Sequence, residues 1–92
     1  MDPDLSIVIL SWNVRDLLAG CLRSLPQAAA QWWDRSEVLV VDNASTDGSA
    51  EMVRRDFPAV RLLLLPRNLG FSGGNNAGII SARGKYVLLL NP

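Results

Sequence analysis

The sequence predicts an α/β fold built on a parallel sheet. Short, continuous apolar runs at residues 7–10 and 38–41 read as buried strands, the second buried on both faces, and a similar run at 87–90 reads as a further strand. Between them lie segments with apolar residues at helical spacing, bounded by turn residues. A third observation marks where strand passes to helix. In residues 38–49, VLVVDNASTDGS, four apolar residues give way to Asp42 and Asn43. Thr46, Asp47, Gly48 and Ser49 follow, a cluster suited to opening a helix.

The elements follow in order. Residues 6–11 form the first strand, ended by Ser11, Trp12 and Asn13. Asn13 is placed to cap the next helix, with Asp16 three residues on. Leu17, Leu18, Cys21, Leu22 and Leu25 share one face of that helix, and Pro26 is expected to end or kink it. Cys21 on that stripe reads as a small core residue. Of the adjacent Trp32 and Trp33, one packs and one lies outside, because neighbours cannot share a helical face. Residues 37–41 are the second strand, 48–56 a helix burying Met52 and Val53, and 60–65 the third strand. A loop covers 66–72, and a helix covers 73–83 with Ala77, Ile79 and Ile80 inward and Gly84 as its C′ residue. Residues 86–90 are the fourth strand. The order βαβαβαβ implies a Rossmann-like parallel sheet with strands in the order 3-2-1-4.

Composition narrows the function. With 92 residues the chain makes at most one domain, and 49% hydrophobic residues supply ample core. The net charge is zero, so the basic excess that nucleic acid requires is missing. No apolar run is long enough to span a bilayer, and the acidic start lacks the basic region of a signal peptide, so a cytoplasmic location is expected. A single Cys permits no internal disulfide, and the absence of His removes Ser-His-Asp and Cys-His catalysis and the usual zinc sites. Any metal must be held by oxygen.

Ligands of open parallel sheets bind beyond the carboxyl ends of the strands. That edge gathers Ser11, Trp12 and Asn13, then Asp42 and Asn43, the loop 66–76, and Asn91. Asp42 and Asn43 suit the edge of a pyrimidine or a ribose, or else the backbone of their own turn. Trp12 can stack on a base or cover the sheet edge. The loop from Arg67 to Gly78 carries four glycines and three asparagines and leads into a helix, whose N-terminus favours anions. Neither the Walker pattern nor G-x-G-x-x-G is present where it should be, which argues against an ordinary ATPase or NAD enzyme.

Four segments together, SIVILSWN at 6–13, VVDNASTDGS at 40–49, NLGFSGGNNAG at 68–78 and GKYVLLLNP at 84–92, resemble family 2 glycosyltransferases, inverting enzymes of the GT-A fold. The wording is most similar to the rhamnosyltransferase-like members. The resemblance implies a nucleotide cradle made by Ser11, Trp12, Asn13, Asp42 and Asn43, with Asn68, Gly70, Asn75 and Asn76 from the loop. Asn75 stands where the family often has Arg. Asn91 matches the first residue of the family's metal motif, and the metal-binding Asp and the general base are expected beyond Pro92. Residues 1–92 are thus expected to be the N-terminal, incomplete nucleotide-sugar-binding part of a GT-A domain, with no catalytic residue of its own. The implied donor is UDP- or dTDP-linked, the metal Mg²⁺ or Mn²⁺, and the acceptor a glycan or a lipid-linked sugar, with the parent enzyme at the cytoplasmic membrane face. The fourth strand, left as an apolar edge, is expected to self-associate. The alternatives are a small non-enzymatic nucleotide- or partner-binding α/β domain, and a nucleotidyltransferase-like domain.

Overall fold

A computed structural model describes residues 2–92. Four strands, β1 (Leu5–Ser11), β2 (Ser36–Asp42), β3 (Arg61–Leu64) and β4 (Tyr86–Leu90), form one parallel sheet in the order β3-β2-β1-β4. Helices α1 (Arg15–Ala29) and α2 (Ser49–Asp56) cover one face and α3 (Gly70–Ser81) the other. This is the predicted topology. The larger core lies under α1 and α2, where Ile7, Ile9, Val38 and Val40 meet Leu18, Leu22, Leu25, Met52 and Val53. Val8, Leu39 and Val41 make the core under α3.

Several local expectations are corrected. Asn13 does not cap α1; Val14 holds that position without a side-chain bond. The carboxylate at this helix start comes from another loop. Asp47 Oδ2 accepts the Arg15 N–H at 2.9 Å, and its Oδ1 accepts the Ser49 N–H at the start of α2. One anion thus serves two helix N-termini, as their partial positive charge favours.

Pro26 does not end α1, which runs three residues further before a 3₁₀ turn, Ala30–Arg35. Leu22 and Leu25 hold this turn against the sheet, and packing overrides the local preference. Leu17 is exposed, and Ala19 takes its place on the buried stripe. Cys21 is half-buried against the core, and burial pushes its thiol up. Trp33 packs on the core while Trp32 lies outside under Arg35.

The largest correction concerns α3. It begins three residues earlier than the apolar pattern indicates, and its inward residues are Gly74, Asn75 and Gly78. Ile79 and Ile80 point outward, Ile80 being 85% exposed. A Cβ on Gly78 would stand 2.5 Å from Val8 Cγ1 and 2.9 Å from Val41 Cγ2. The glycines therefore let the helix backbone lie directly on the sheet. Gly84 is not a helix cap; Ala82 is. Gly84 is a close-approach residue, whose Cβ would meet the Ser6 nitrogen at 2.6 Å.

At the amino end of the sheet, Glu37 closes a polar cluster. It accepts hydrogen bonds from Ser6 Oγ at 2.5 Å, Arg61 Nη1 at 2.6 Å and the Arg83 N–H at 2.7 Å. Ser6 Oγ in turn accepts the Gly84 N–H at 2.8 Å. Burial works to raise the Glu37 carboxyl, but these hydrogen bonds and the Arg61 charge outweigh it and hold the group below the ordinary glutamate range.

Candidate functional site: a strand-end cleft

The carboxyl ends of β1, β2 and β4 and the opening of α3 border a shallow, open cleft of about 340 Å³. Leu10, Trp12, Val14, Asn43, Asn68, Gly70, Phe71, Asn91 and Pro92 line it. Five of the residues singled out from the sequence are therefore brought together: Trp12, Asn43, Asn68, Gly70 and Asn91. The other five are not on its wall.

Trp12 is 54% exposed, so its ring is presented to the cleft rather than used as a lid on the sheet. Asn43 is buried and fully engaged. Its Oδ1 accepts the Leu69 N–H at 2.8 Å and its Nδ2 donates to the Gly70 carbonyl at 3.2 Å. The side chain thus ties the end of β2 to the start of α3. Asn68 Oδ1 accepts the Gly70 N–H at 2.7 Å, and Gly70 adopts φ +76°, the left-handed region where a side chain is strained.

Ser11 and Asp42 pair in register at the ends of β1 and β2, one residue before Trp12 and Asn43. Both are buried; Asp42 is 4% exposed. Asp42 Oδ2 accepts the Ser45 N–H at 3.2 Å. Asp42 Oδ1 and Ser11 Oγ are the two buried side-chain atoms with no hydrogen-bond partner among the described residues. Such atoms are rare and call for a specific reason.

Asn13, Asn75 and Asn76 are placed elsewhere. Asn13, at φ +51°, zips the turn after β1 to the loop after β2: its N–H donates to Ser45 Oγ, and its Oδ1 accepts the Thr46 N–H. Asn75 is buried on the sheet side of α3, and Asn76 is exposed outside the cleft. Phe71 was not singled out from the sequence, yet it lines the cleft at 65% exposure. Its signal was an aromatic in a stretch of small residues with no apolar stripe to join.

The residues present do not fit a metal centre on their own. No cluster of three or more His, Cys, Asp or Glu is placed to hold a cation among the described residues. Asn91 offers one neutral oxygen, and no carboxylate lines the cleft. Hard divalent cations favour carboxylate oxygens.

The architecture and the cleft can be set beside known proteins. Residues 6–92 match the family model described as Glycosyl transferase family 2. The chain belongs to this family. As a family 2 glycosyltransferase chain, it is 38% identical over 90 residues to the succinoglycan biosynthesis protein ExoO of Rhizobium meliloti (strain 1021), which covers 97% of this chain and 25% of that protein. Among solved structures it is similar to a mannosyltransferase, PcManGT from Pyrobaculum calidifontis, in complex with GDP-Man and Mn²⁺. The TM-score is 0.80 at 27% identity, over 99% of this chain and 28% of that one. S. aureus TarS 1–349 in complex with UDP-GlcNAc is similar with a TM-score of 0.81 at 25% identity, over 96% of this chain and 26% of that one. The chain spans about a quarter of the length of the relatives it matches. Membership of the glycosyltransferase family sets aside the nucleotidyltransferase-like alternative. Among the described residues, no helix of this family 2 chain is long and apolar enough to cross a membrane.

Proposed function

We propose that the chain is the nucleotide-sugar-binding part of a GT-A glycosyltransferase domain. The parent enzyme transfers a sugar, with inversion, from a UDP- or dTDP-linked donor to a hydroxyl of a glycan or lipid-linked acceptor. Rhamnosyltransferase-like members are the subgroup whose wording around Asn91-Pro92 it follows most nearly. One observation carries the reading: two buried, unpartnered polar atoms, Asp42 Oδ1 and Ser11 Oγ, immediately precede the cleft residues Asn43 and Trp12. In this reading Trp12 stacks on the base, Ser11 and Asp42 lie directly behind the cleft wall, and Asn43 and Asn68 fix the start of α3. No residue of this chain is assigned as the base that deprotonates the acceptor.

Titration of the chain with UDP, dTDP, GDP and ADP, followed by NMR shifts, tests this. Pyrimidine nucleotides are expected to shift the resonances of Trp12 and its cleft neighbours at lower concentration than ADP does. Trp12→Ala is expected to weaken that binding by about tenfold, the usual worth of one stacked aromatic. A stronger response to ADP, or an unaltered affinity in Trp12→Ala, overturns the assignment. Mg²⁺ or Mn²⁺ is expected to change the affinity by less than about twofold, because Asn91 is a neutral ligand. A large gain on adding metal points to Asp42 or Asp47 as a ligand instead.

A second copy of the chain is the proposed partner at β4. Its residues Tyr86, Val87, Leu88 and Leu89 are exposed, none is charged, and the strand lies at the edge of the sheet. Such edges pair with other chains. Register settles which residue faces which side: Leu89 pairs with Val8 on the α3 face, and Leu88 with Ile7 on the opposite face. Light scattering over a dilution series is expected to show concentration-dependent association, reduced in Leu89→Lys. A monomer at every concentration refutes it.

A further inference from the structure

The turn after β1 and the loop after β2 are stitched together by four hydrogen bonds between residues 13–15 and residues 45–47. The Asn13 N–H donates to Ser45 Oγ at 2.9 Å, and Asn13 Oδ1 accepts the Thr46 N–H at 2.8 Å. The Arg15 N–H donates to Asp47 Oδ2 at 2.9 Å, and Arg15 Nη1 donates to the Asp47 carbonyl at 3.2 Å. Asp47 is itself fixed to α2, because its Oδ1 accepts both the N–H and the hydroxyl of the buried Ser49. Each side of this clasp holds a non-glycine residue in the left-handed region, Asn13 at φ +51° and Ala44 at φ +65°. Asparagine tolerates that region through its short polar side chain, and alanine has no such compensation. Backbone of this kind persists only where the surrounding structure over-determines it, and it gathers at functional positions. Trp12 stands between the two fixed points. On its amino side Ser11 pairs in register with Asp42, and the Ser11 carbonyl accepts the Asn43 N–H at 2.9 Å. On its carboxyl side Asn13 is held by residues 32 and 33 positions away.

We infer that Asn13 and Asp47 are positioning residues: through the clasp they set the direction in which Trp12 leaves the sheet, and they act on ligand affinity through that ring. The inference rests on the reading of Trp12 as the residue that stacks on the base. Asn13 supplies the left-handed turn and the acceptor for Thr46, and Asp47 anchors the turn to α2.

NMR on the isotopically labelled chain separates position from stability. Asn13→Gly keeps the turn accessible and removes the Thr46 acceptor, Asn13→Asp keeps both, and Asp47→Ala removes the link to α2. Without ligand, Asn13→Gly and Asp47→Ala are each expected to speed hydrogen exchange of the Arg15 and Thr46 amides together, by about fivefold, the worth of one modest hydrogen bond. Both are expected to move the Trp12 indole N–H resonance, and Asn13→Asp to leave it near its wild-type position. Exchange that rises only at the amide that lost its acceptor, or an unmoved Trp12 resonance, overturns the inference. With UDP, Asn13→Gly and Asp47→Ala are expected to bind about fivefold more weakly than wild type, within the roughly tenfold that a stacked aromatic is worth, and Asn13→Asp within about twofold of wild type. In a Trp12→Ala background Asn13→Gly is expected to change UDP affinity by less than about twofold, because its effect passes through the missing ring. A loss that persists undiminished in that background overturns the positioning role, as does wild-type affinity in Asn13→Gly. A wild-type chain that does not respond to UDP overturns the reading beneath the inference, and the ligand-free exchange and Trp12 resonance then decide whether the clasp orients the ring.

Discussion

Glu37→Ala is expected to destabilise the chain by about 3 kcal/mol, the range found when one partner of a largely buried ion pair is removed. Glu37 is 11% exposed at its side chain, and three donors converge on it: Ser6 Oγ, Arg61 Nη1 and the Arg83 N–H. Alanine leaves the Arg61 charge with only the Ser81 carbonyl as acceptor and removes the acceptor for Ser6 and for the segment that leads into β4. Arg61 is one-third exposed, so part of its charge is recovered by solvent, and the low end of the range applies. Urea unfolding with the slope held common reads the difference.

The same cluster sets a pH dependence. The folded-state pKa of Glu37 lies below its unfolded value. Its contribution is therefore complete above the unfolded value of about 4.3 and is lost as pH falls through the folded value. Wild type is expected to lose stability over this acid range more steeply than Glu37→Gln, whose amide does not titrate. Equal slopes in the two proteins would show that Glu37 is not the group responsible.

One substitution is expected to have opposite signs at two helical glycines. Gly78→Ala should destabilise by about 2 kcal/mol, because the new Cβ must displace Val8 and Val41, which are β-branched and fully buried. Val side chains have little rotamer freedom to yield, so α3 must lift from the sheet. Its first turn lines the cleft, so nucleotide affinity is expected to fall as well. Gly20→Ala should stabilise by about 0.5–1 kcal/mol. Gly20 lies in the interior of α1, and its Cβ would meet nothing within 4 Å. Alanine there restricts the unfolded chain and costs no space. Thermal melts of the two variants give the answer directly. A Gly78→Ala protein as stable as wild type would mean that α3 is free to move on the sheet.

The sheet was legible because its strands carry continuous apolar runs, which β1 and β2, buried on both faces of a parallel sheet, demand, and which β4 shares although it is exposed. The position of the cleft was legible for the same reason: parallel topology alone brings Trp12, Asn43, Asn68 and Asn91 to one edge. The orientation of α3 was not. A reading by hydrophobicity places Ile79 and Ile80 inward, whereas the sheet admits no side chain at Gly74 and Gly78, so the isoleucines turn out. Steric room decided the buried face, and room is a property of two elements together. The roles of the polar residues were also decided in space. Asn13, Asn43 and Asp47 have the same turn-forming chemistry in sequence. Each finds a hydrogen-bond partner 26 to 33 residues away, and only the tertiary fold selects that partner. What the amino-acid pattern determined alone was the sheet and the edge where its strand-end residues gather, because burial is written residue by residue. Which side chains remain free at that edge depended on donors and acceptors from distant loops, and those meet only once the chain has folded.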